Sequence, residues 1–216
     1  MLNQLRSELS SQNARLVAVS KTHPIARILE IYHQGQRIFG ENRPQETLEK
    51  QAALPADIEW HFIGHLQTNK VKIIAPFVSL IHSVDSLHLL QEIDKQALKN
   101  NRVIDCLFQF HIGQEETKYG LNEQEAVEIL QSPEFFRLQN VRLCGVMGMA
   151  TFTDDTDQVR AEFRQLKHIF DHLKVKFFAQ SDRFYEISMG MSGDWRIAIE
   201  EGSTLVRIGS LIFGER

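Results

Sequence analysis

Short apolar runs alternate with helix-like segments along the whole 216-residue chain, and this alternation strongly limits the folds that it can adopt. The apolar runs are residues 16–20, 37–40, 59–64, 78–83, 103–111, 141–147, 184–188 and 205–208. The helix-like segments are residues 25–35, 44–53, 86–100, 123–131, 194–202 and a segment that carries Val159, Phe163, Leu166, Ile169, Phe170 and Leu173 at spacings of three and four. About eight strand–helix units in this order predict an α/β protein, a (β/α)8 TIM barrel.

The open doubly wound sheet is the alternative arrangement of the same elements. Near-continuous apolar strands such as Leu16-Val17-Ala18-Val19 suit any parallel sheet that is covered on both faces. No glycine fingerprint follows this first strand, so the barrel is favoured. Since α/β barrels reach about 250 residues and no linker divides the sequence, residues 1–216 are predicted to form a single domain.

Charge and composition exclude several classes of protein. Lys and Arg total 24 against 28 Asp and Glu, and the resulting net charge of −4 argues against a main role in binding nucleic acid or an anionic membrane. No stretch approaches the ~18 apolar residues of a membrane span, and residues 1–11 lack a signal-peptide core. Cys106 and Cys144 lie in apolar runs and are predicted to be buried free thiols. A cytoplasmic protein is expected.

The barrel hypothesis predicts where chemistry occurs, because active sites of these folds lie at the carboxyl ends of the strands. Those positions are polar or rich in glycine, unlike the strands before them. They include Ser20-Lys21-Thr22-His23, Glu41-Asn42, His65, Ser83-Val84-Asp85, Met147-Gly148-Met149, Ser188-Met189-Gly190 and Arg207-Ile208-Gly209-Ser210. One face of the barrel is therefore the candidate site.

Lys21 and two glycine-containing turns are the strongest candidates at this face. A partly desolvated lysine at the end of the first strand can attack a carbonyl to form a Schiff base, although a solvated lysine is the commoner finding at a strand end. Residues 188–194 and 206–210 offer backbone N–H groups and hydroxyls after strands seven and eight, where barrels often bind phosphate. Ser192 and Asp194 could instead serve only as helix caps.

The histidines give weaker evidence for a functional site. His61 and His65 lie four residues apart in a run that reads as a strand, where this spacing builds no helical metal face, and no metal site is predicted. The other histidines, His82 among them, are interpreted as surface or packing residues.

Seven segments carry a resemblance that covers nearly the whole chain. They are residues 16–24, 39–42, 60–70, 145–150, 187–192, 201–209 and 212–216. In their order and spacing they resemble the pyridoxal phosphate homeostasis proteins (the YggS/PROSC family), which are related to the N-terminal barrel domain of alanine racemase. The resemblance implies a fold-type III barrel that binds pyridoxal 5′-phosphate (PLP).

The resemblance also implies a role for each site residue. Lys21 is expected to hold PLP as a Schiff base. The other expected cofactor-binding residues are Asn42, Met147, Ser188, Met189, Gly190, Arg207, Gly209 and Ser210. Of these, Ser188, Gly209 and Ser210 are expected to donate to the phosphate, and Arg207 is expected to face the pyridine nitrogen.

The expected function is PLP homeostasis and supply without robust catalysis. A cation beside the pyridine nitrogen disfavours its protonation, which narrows the carbanion chemistry that the cofactor supports. A racemase also needs a second acid–base group, which alanine racemases take from a C-terminal domain, and here only Tyr119 or His65 is a candidate. Apo PLP-dependent enzymes are the expected recipients, and a monomer is preferred. The alternatives are an amino-acid racemase or related fold-type III enzyme, and a sugar-phosphate barrel enzyme that forms no Schiff base.

Overall fold

The computed structural model describes residues 2–114 and 119–214 and contains a closed barrel of eight parallel strands. The strands are β1 (Arg15–Val19), β2 (Ile38–Glu41), β3 (Glu59–Phe62), β4 (Leu80–Val84), β5 (Ile104–Phe110), β6 (Val141–Gly148), β7 (Glu186–Ser188) and β8 (Leu205–Ile208). Each strand pairs with the next in chain order, and β8 pairs with β1 to close the barrel. The predicted TIM barrel is confirmed, and every strand lies within two residues of its predicted bounds.

Helices follow the strands around the outside of the barrel. They are α1 (Leu2–Ser11), α2 (Ile25–His33), α3 (Pro44–Ala53), α4 (Val71–Ile74), α5 (Leu87–Lys99), α6 (Glu123–Gln131), α7 (Thr156–Phe177), α8 (Trp195–Glu200) and α9 (Ser210–Phe213). All six predicted helices are present. The sequence did not predict α1, which precedes the first strand and buries Leu2, Leu5 and Leu9, or the one-turn helices α4 and α9.

The hydrophobic core has an outer and an inner layer. The larger outer layer lies between the strands and the helices and includes Cys106. A small inner cluster is formed by side chains from five strands that point into the barrel, namely Val17, Leu80, Leu107, Cys144, Met147 and Leu205. Both cysteines are buried free thiols, as predicted.

Because successive side chains of a strand alternate between the two layers, the inner cluster identifies the inward-facing positions. His82 follows Leu80 by two residues in β4, and Arg207 follows Leu205 by two in β8, so both side chains point into the barrel above the apolar cluster. The half of the barrel interior nearer the carboxyl ends of the strands is therefore polar. Among the described residues, no helix is both long and apolar enough to span a membrane.

Candidate functional site

A cavity of about 640 Å³ opens at the carboxyl end of the barrel, where the sequence placed the site. Its walls come from the ends of β1, β2, β3, β6 and β8 and from the loops that follow β6 and β7. Five of the predicted site residues line it, namely Lys21, Asn42, Arg207, Gly209 and Ser210. These residues are far apart in the sequence, and only closure of the barrel brings them to one cavity.

The backbone on both sides of Lys21 is firmly held. Lys50, on α3, donates from Nζ to the carbonyl oxygen of Ser20 at 2.8 Å. Glu46, one helical turn earlier, accepts from the backbone N–H of Thr22 at 2.6 Å. Thr22 has a φ of 67°, which is a strained conformation for a β-branched residue. Lys21 therefore extends into the cavity from a turn whose backbone hydrogen bonds compensate its strain.

A buried ion cluster supports this turn. Lys50 Nζ lies 2.7 Å from Glu41 Oε1 and 2.7 Å from Glu46 Oε1. Burial raises the pKa of Glu41, although hydrogen bonds from Lys50 and Ser20 oppose that effect. For Glu46 burial also raises the pKa, but hydrogen bonds from Lys50 and Thr22 outweigh it, and the net pKa is lowered. The cluster thus fixes α3 against the end of β1.

Two turns after β7 and β8 form the opposite wall of the cavity. Gly190 has a φ of 93°, and a Cβ at this position would lie 2.5 Å from the Cβ of Ala198, so the turn requires glycine. Asp194 accepts from the backbone N–H of Met191 at 2.5 Å, and Ser192 Oγ accepts from the N–H of Gly209 at 3.4 Å. Ser192, which the sequence analysis left open as a helix cap, lines the cavity beside Gly209 and Ser210.

Arg207 supplies a buried positive charge at the floor of the cavity. Its Nη1 donates to the carbonyl oxygen of Ser188 at 2.8 Å and to Ser188 Oγ at 2.6 Å, and its Nη2 donates to the carbonyl oxygen of Gly148 at 3.1 Å. Burial lowers the pKa of Arg207 to about 10, with the charge of Asp194 acting against that shift. The guanidinium therefore stays cationic at neutral pH.

Four predicted site residues lie behind the cavity wall. Ser188 is fully buried, and its hydroxyl contacts Arg207 and His82. Met147 is 1% exposed and belongs to the inner apolar cluster. Met189 is buried in the outer core, and Gly190 forms the turn described above. Their predicted direct contacts with a cofactor remain predictions, whereas their observed contacts support the residues that do line the cavity.

Asn42 shows that the cavity is suited to a polar ligand. Its Oδ1 is buried and has no hydrogen-bond partner among the described residues. A buried acceptor without a partner costs about 1–3 kcal/mol, which a ligand donor in the cavity would recover. Asn42 therefore suits a ligand with a hydrogen-bond donor such as a hydroxyl. Lys21, the buried Arg207 and the turns that present two serine hydroxyls and backbone N–H groups fit an anionic carbonyl compound that carries a phosphate.

The rim of the barrel brings together the two acid–base candidates that the sequence singled out. The rings of His65 and Tyr119 stack with centroids 3.8 Å apart, and His65 Nδ1 lies 3.5 Å from Asp85 Oδ2. Tyr119 is 56% exposed. Neither ring is among the described residues that line the cavity.

Known proteins resemble this chain over its full length. Residues 2–216 match the family described as alanine racemase, N-terminal domain. The chain is 45% identical over 204 residues to a pyridoxal phosphate homeostasis protein of Aquifex aeolicus, covering 94% of this chain and 87% of that protein. It is 38% identical over 219 residues to a protein of the same name from Homo sapiens, covering 97% and 79%.

Solved structures agree with these matches. PipY of Synechococcus elongatus, 37% identical, superposes with a TM-score of 0.91 without PLP and 0.87 with PLP bound, and each superposition covers 99% of this chain and 98% of PipY. An alanine racemase of Clostridium difficile, 14% identical, superposes with a TM-score of 0.70 over 100% of this chain and 55% of the enzyme. At that identity the likeness shows a common fold only.

Proposed function

This chain belongs to the pyridoxal phosphate homeostasis protein family, and on that basis we propose that it binds PLP at the carboxyl end of its barrel and serves PLP homeostasis and supply. The observation that carries the proposal is the cavity itself, which joins Lys21, Asn42 and Arg207 to the turns after β7 and β8. The PLP-bound structure of the PipY relative supports the same ligand.

The residues present fit each part of the cofactor. When bound, PLP supplies an aldehyde that forms a reversible covalent bond, a Schiff base, with a primary amine such as that of Lys21. Ser192 and Ser210 offer two hydroxyls, and these residues and Gly209 offer backbone N–H groups, for the phosphate. Arg207 offers a fixed cation for the ring nitrogen, and a cation at that position keeps the nitrogen unprotonated by charge repulsion.

We infer that storage and delivery of the cofactor, rather than catalysis, is the task of this site. A racemase needs proton-transferring groups on both faces of its substrate's Cα. The stacked pair of His65 and Tyr119 lies at the rim, outside the set of described residues that line the cavity. The names of the homeostasis relatives agree with a role that is not primarily catalytic.

The proposal also covers the recipients of the cofactor, the cellular compartment and the oligomeric state of the protein. The recipients would be apo PLP-dependent enzymes in the cytoplasm, and one barrel domain, acting as a monomer, would suffice. The net charge of −4, which argues against a main role in binding nucleic acid or an anionic membrane, agrees with this setting.

The decisive experiment is an absorption spectrum of the purified protein after loading with PLP and removal of the unbound cofactor, recorded before and after borohydride reduction and followed by peptide mapping. We expect a visible band that reduction removes, with the pyridoxyl group on Lys21. The control is Lys21→Arg, which keeps the charge but lacks an amine that condenses readily, and which should show no such band. A wild-type protein without a band would refute PLP binding and favour the sugar-phosphate enzyme.

Chiral analysis of L-alanine incubated with the loaded protein separates a carrier from a racemase. The carrier should leave the enantiomer unchanged on the time scale of enzymatic turnover, and it should transfer PLP to an apo-enzyme. Racemisation at enzymatic rates that Tyr119→Phe abolishes would establish the racemase alternative instead.

A further inference from the structure

A chain of buried polar side chains crosses the interior of the barrel beneath the cavity. It runs from Arg207 on β8 through Ser188 on β7 and His82 on β4 to His61 on β3. Ser188 Oγ lies 2.6 Å from Arg207 Nη1 and 2.8 Å from His82 Nδ1, and His82 Nε2 lies 3.0 Å from His61 Nδ1. All four side chains are at most 4% exposed. These four side chains therefore join opposite walls of the barrel through its interior, and of the four Arg207 alone lines the cavity.

We propose that Ser188 and His82 are positioning residues for Arg207, and that the hydrogen bonds of this chain all point one way, from Arg207 towards His61. The inference rests on the proposed function in one respect, namely that Arg207 contacts the bound cofactor. It assigns Ser188 to the support of Arg207 rather than to the phosphate.

The direction of the bonds follows from counting protons. A guanidinium only donates, so Ser188 Oγ accepts from Arg207 and has one proton of its own to give. His82 Nδ1 is the one further partner of this hydroxyl among the described residues, so Nδ1 accepts and the proton of His82 is on Nε2. His82 Nε2–H then donates to His61 Nδ1. In the reverse direction the proton of Ser188 would have no acceptor within the part of the chain that the structure describes.

Electrostatics favours the same direction. Burial lowers the pKa of both histidines, that of His61 to about 3, and the positive charges of Arg15 and Arg207 add to the effect on His82. Both imidazoles are therefore neutral at pH 7. When the hydrogen bonds run from Arg207 towards His61, the lone pair on Nδ1 of His82 faces the side on which the Arg207 cation lies. In the reverse direction, the N–H dipole of Nδ1 would point towards that cation.

The consequence for Arg207 is a fixed orientation. Ser188 becomes a stronger acceptor because it donates to His82, and hydrogen bonds linked in this way reinforce one another in a dry interior. Three hydrogen bonds from the guanidinium end on uncharged oxygen atoms, so its charge is held in place without being neutralised there. That charge remains available to an electron-rich group in the cavity.

The first test uses the protein without cofactor and does not depend on the proposed function. Long-range ¹H–¹⁵N correlation spectra report which imidazole nitrogen carries the proton, and the variants His61→Asn and His82→Asn assign the two rings. We expect both rings to be neutral with the proton on Nε2. A proton on Nδ1 of His82, or a charged ring at pH 7, would overturn the directed chain.

The second test compares two variants that each remove one fully buried hydroxyl. Ser188→Ala interrupts the hydrogen bonds between Arg207 and His82. Ser83→Ala removes a hydroxyl that lies beside His82 in β4 and has no hydrogen-bond partner among the described residues. We expect Ser188→Ala to weaken PLP binding about tenfold, since a hydrogen bond to a charged group is lost, and to shift the absorption maximum of the bound cofactor. It should also allow His82 to populate both neutral tautomers. Ser83→Ala should change none of these.

The outcomes distinguish the two proposals. If wild-type protein binds no PLP, the proposed function fails, and the spectra of His82 still decide the directed chain. If wild-type protein binds PLP but Ser188→Ala matches Ser83→Ala in affinity and absorption maximum, the positioning role is wrong while the function stands. If Ser188→Ala does not fold, the tautomer of His82 in the wild-type protein decides the direction, and the absorption maximum in His82→Asn decides the positioning role.

Discussion

Ser188 and Ser192 lie four residues apart, yet they have different surroundings. Ser192 lines the cavity and its Oγ accepts from the backbone N–H of Gly209, whereas Ser188 is buried beneath Arg207. A hydroxyl at the cavity wall can reach a phosphate oxygen, and one below the guanidinium acts through that group. The two serines should therefore respond differently to the part of the ligand that carries the phosphate.

We predict that Ser192→Ala weakens binding of PLP about tenfold and leaves binding of pyridoxal, which lacks the phosphate, nearly unchanged. Ser188→Ala should weaken both ligands by the same factor, because it disturbs Arg207. Absorption titrations of the two variants with each ligand provide the measurement. Equal losses for PLP and pyridoxal in Ser192→Ala would show that this serine does not contact the phosphate.

Lys50 is a buried cation on which two carboxylates depend. Its side chain is 6% exposed, and that of Glu41 is fully buried. We predict that Lys50→Met lowers the free energy of unfolding by about 3–5 kcal/mol, because it leaves Glu41 without its counter-ion. Urea unfolding measures the loss. Since the pKa of Glu41 is already raised, protonation at lower pH removes its charge, and the loss should be smaller at pH 5 than at pH 8.

Lys95 is the matched control for Lys50. It pairs with Glu92 at 3.2 Å on α5, and its side chain is 61% exposed. Lys95→Met should change the free energy of unfolding by less than about 1 kcal/mol, since exposed ion pairs contribute little. A comparable loss in both variants would mean that the cluster around Lys50 is no more important than a surface pair.

At the scale of elements, Gly145 sets the path of β6. The register between β5 and β6 shifts by one residue beside it, and its φ is 154°. A Cβ at this position would lie 1.8 Å from the carbonyl oxygen of Glu186 on β7. The close approach of two strands therefore requires glycine here.

We predict that Gly145→Ala destabilises the barrel by roughly 2–5 kcal/mol, because β6 and β7 must separate to admit the methyl group. Gly193→Ala is the control, since a Cβ there meets nothing within 4 Å, and its effect should stay within about 0.5 kcal/mol. Thermal unfolding of both variants measures the difference. The prediction fails if Gly145→Ala unfolds like the control.

The sequence predicted the regular elements well because strands and long helices bury repeating faces. The helices α4 and α9 have four residues each, too few for a periodic pattern, and both were missed. The ten-residue helix α1 was missed as well, although it buries Leu2, Leu5 and Leu9 at helical spacing. Lys21 and Arg207 line one cavity because strand ends meet at one face of a barrel, and their roles in binding a cofactor stay predictions. Ser188 and Ser192 were harder, because the direction of a side chain near a strand end depends on local twist and on the turn that follows.

At the scale of the whole molecule, the neutral pair of His61 and His82 makes stability depend on pH. Burial lowers the pKa of both rings in the folded state, that of His61 to about 3, whereas an unfolded chain has histidine pKa values near 6.5. Below pH 6.5 the unfolded state therefore binds protons that the folded state does not. Stability is full above this pH and falls as the pH decreases, by up to about 1.4 kcal/mol per pH unit for each ring.

The free energy of unfolding should accordingly fall by about 2–3 kcal/mol per pH unit between pH 6 and pH 5 if the two histidines dominate. Glu41 acts in the opposite direction, because its raised pKa lets the folded state take up a proton first. Urea unfolding at a series of pH values measures the slope.

His61→Asn, which keeps an acceptor for His82, should reduce the slope by about half, since one of the two titrating rings is removed. His88→Asn, which removes an exposed imidazole, should keep the wild-type slope. An unchanged slope in His61→Asn would mean that the acid sensitivity of this barrel arises outside its interior.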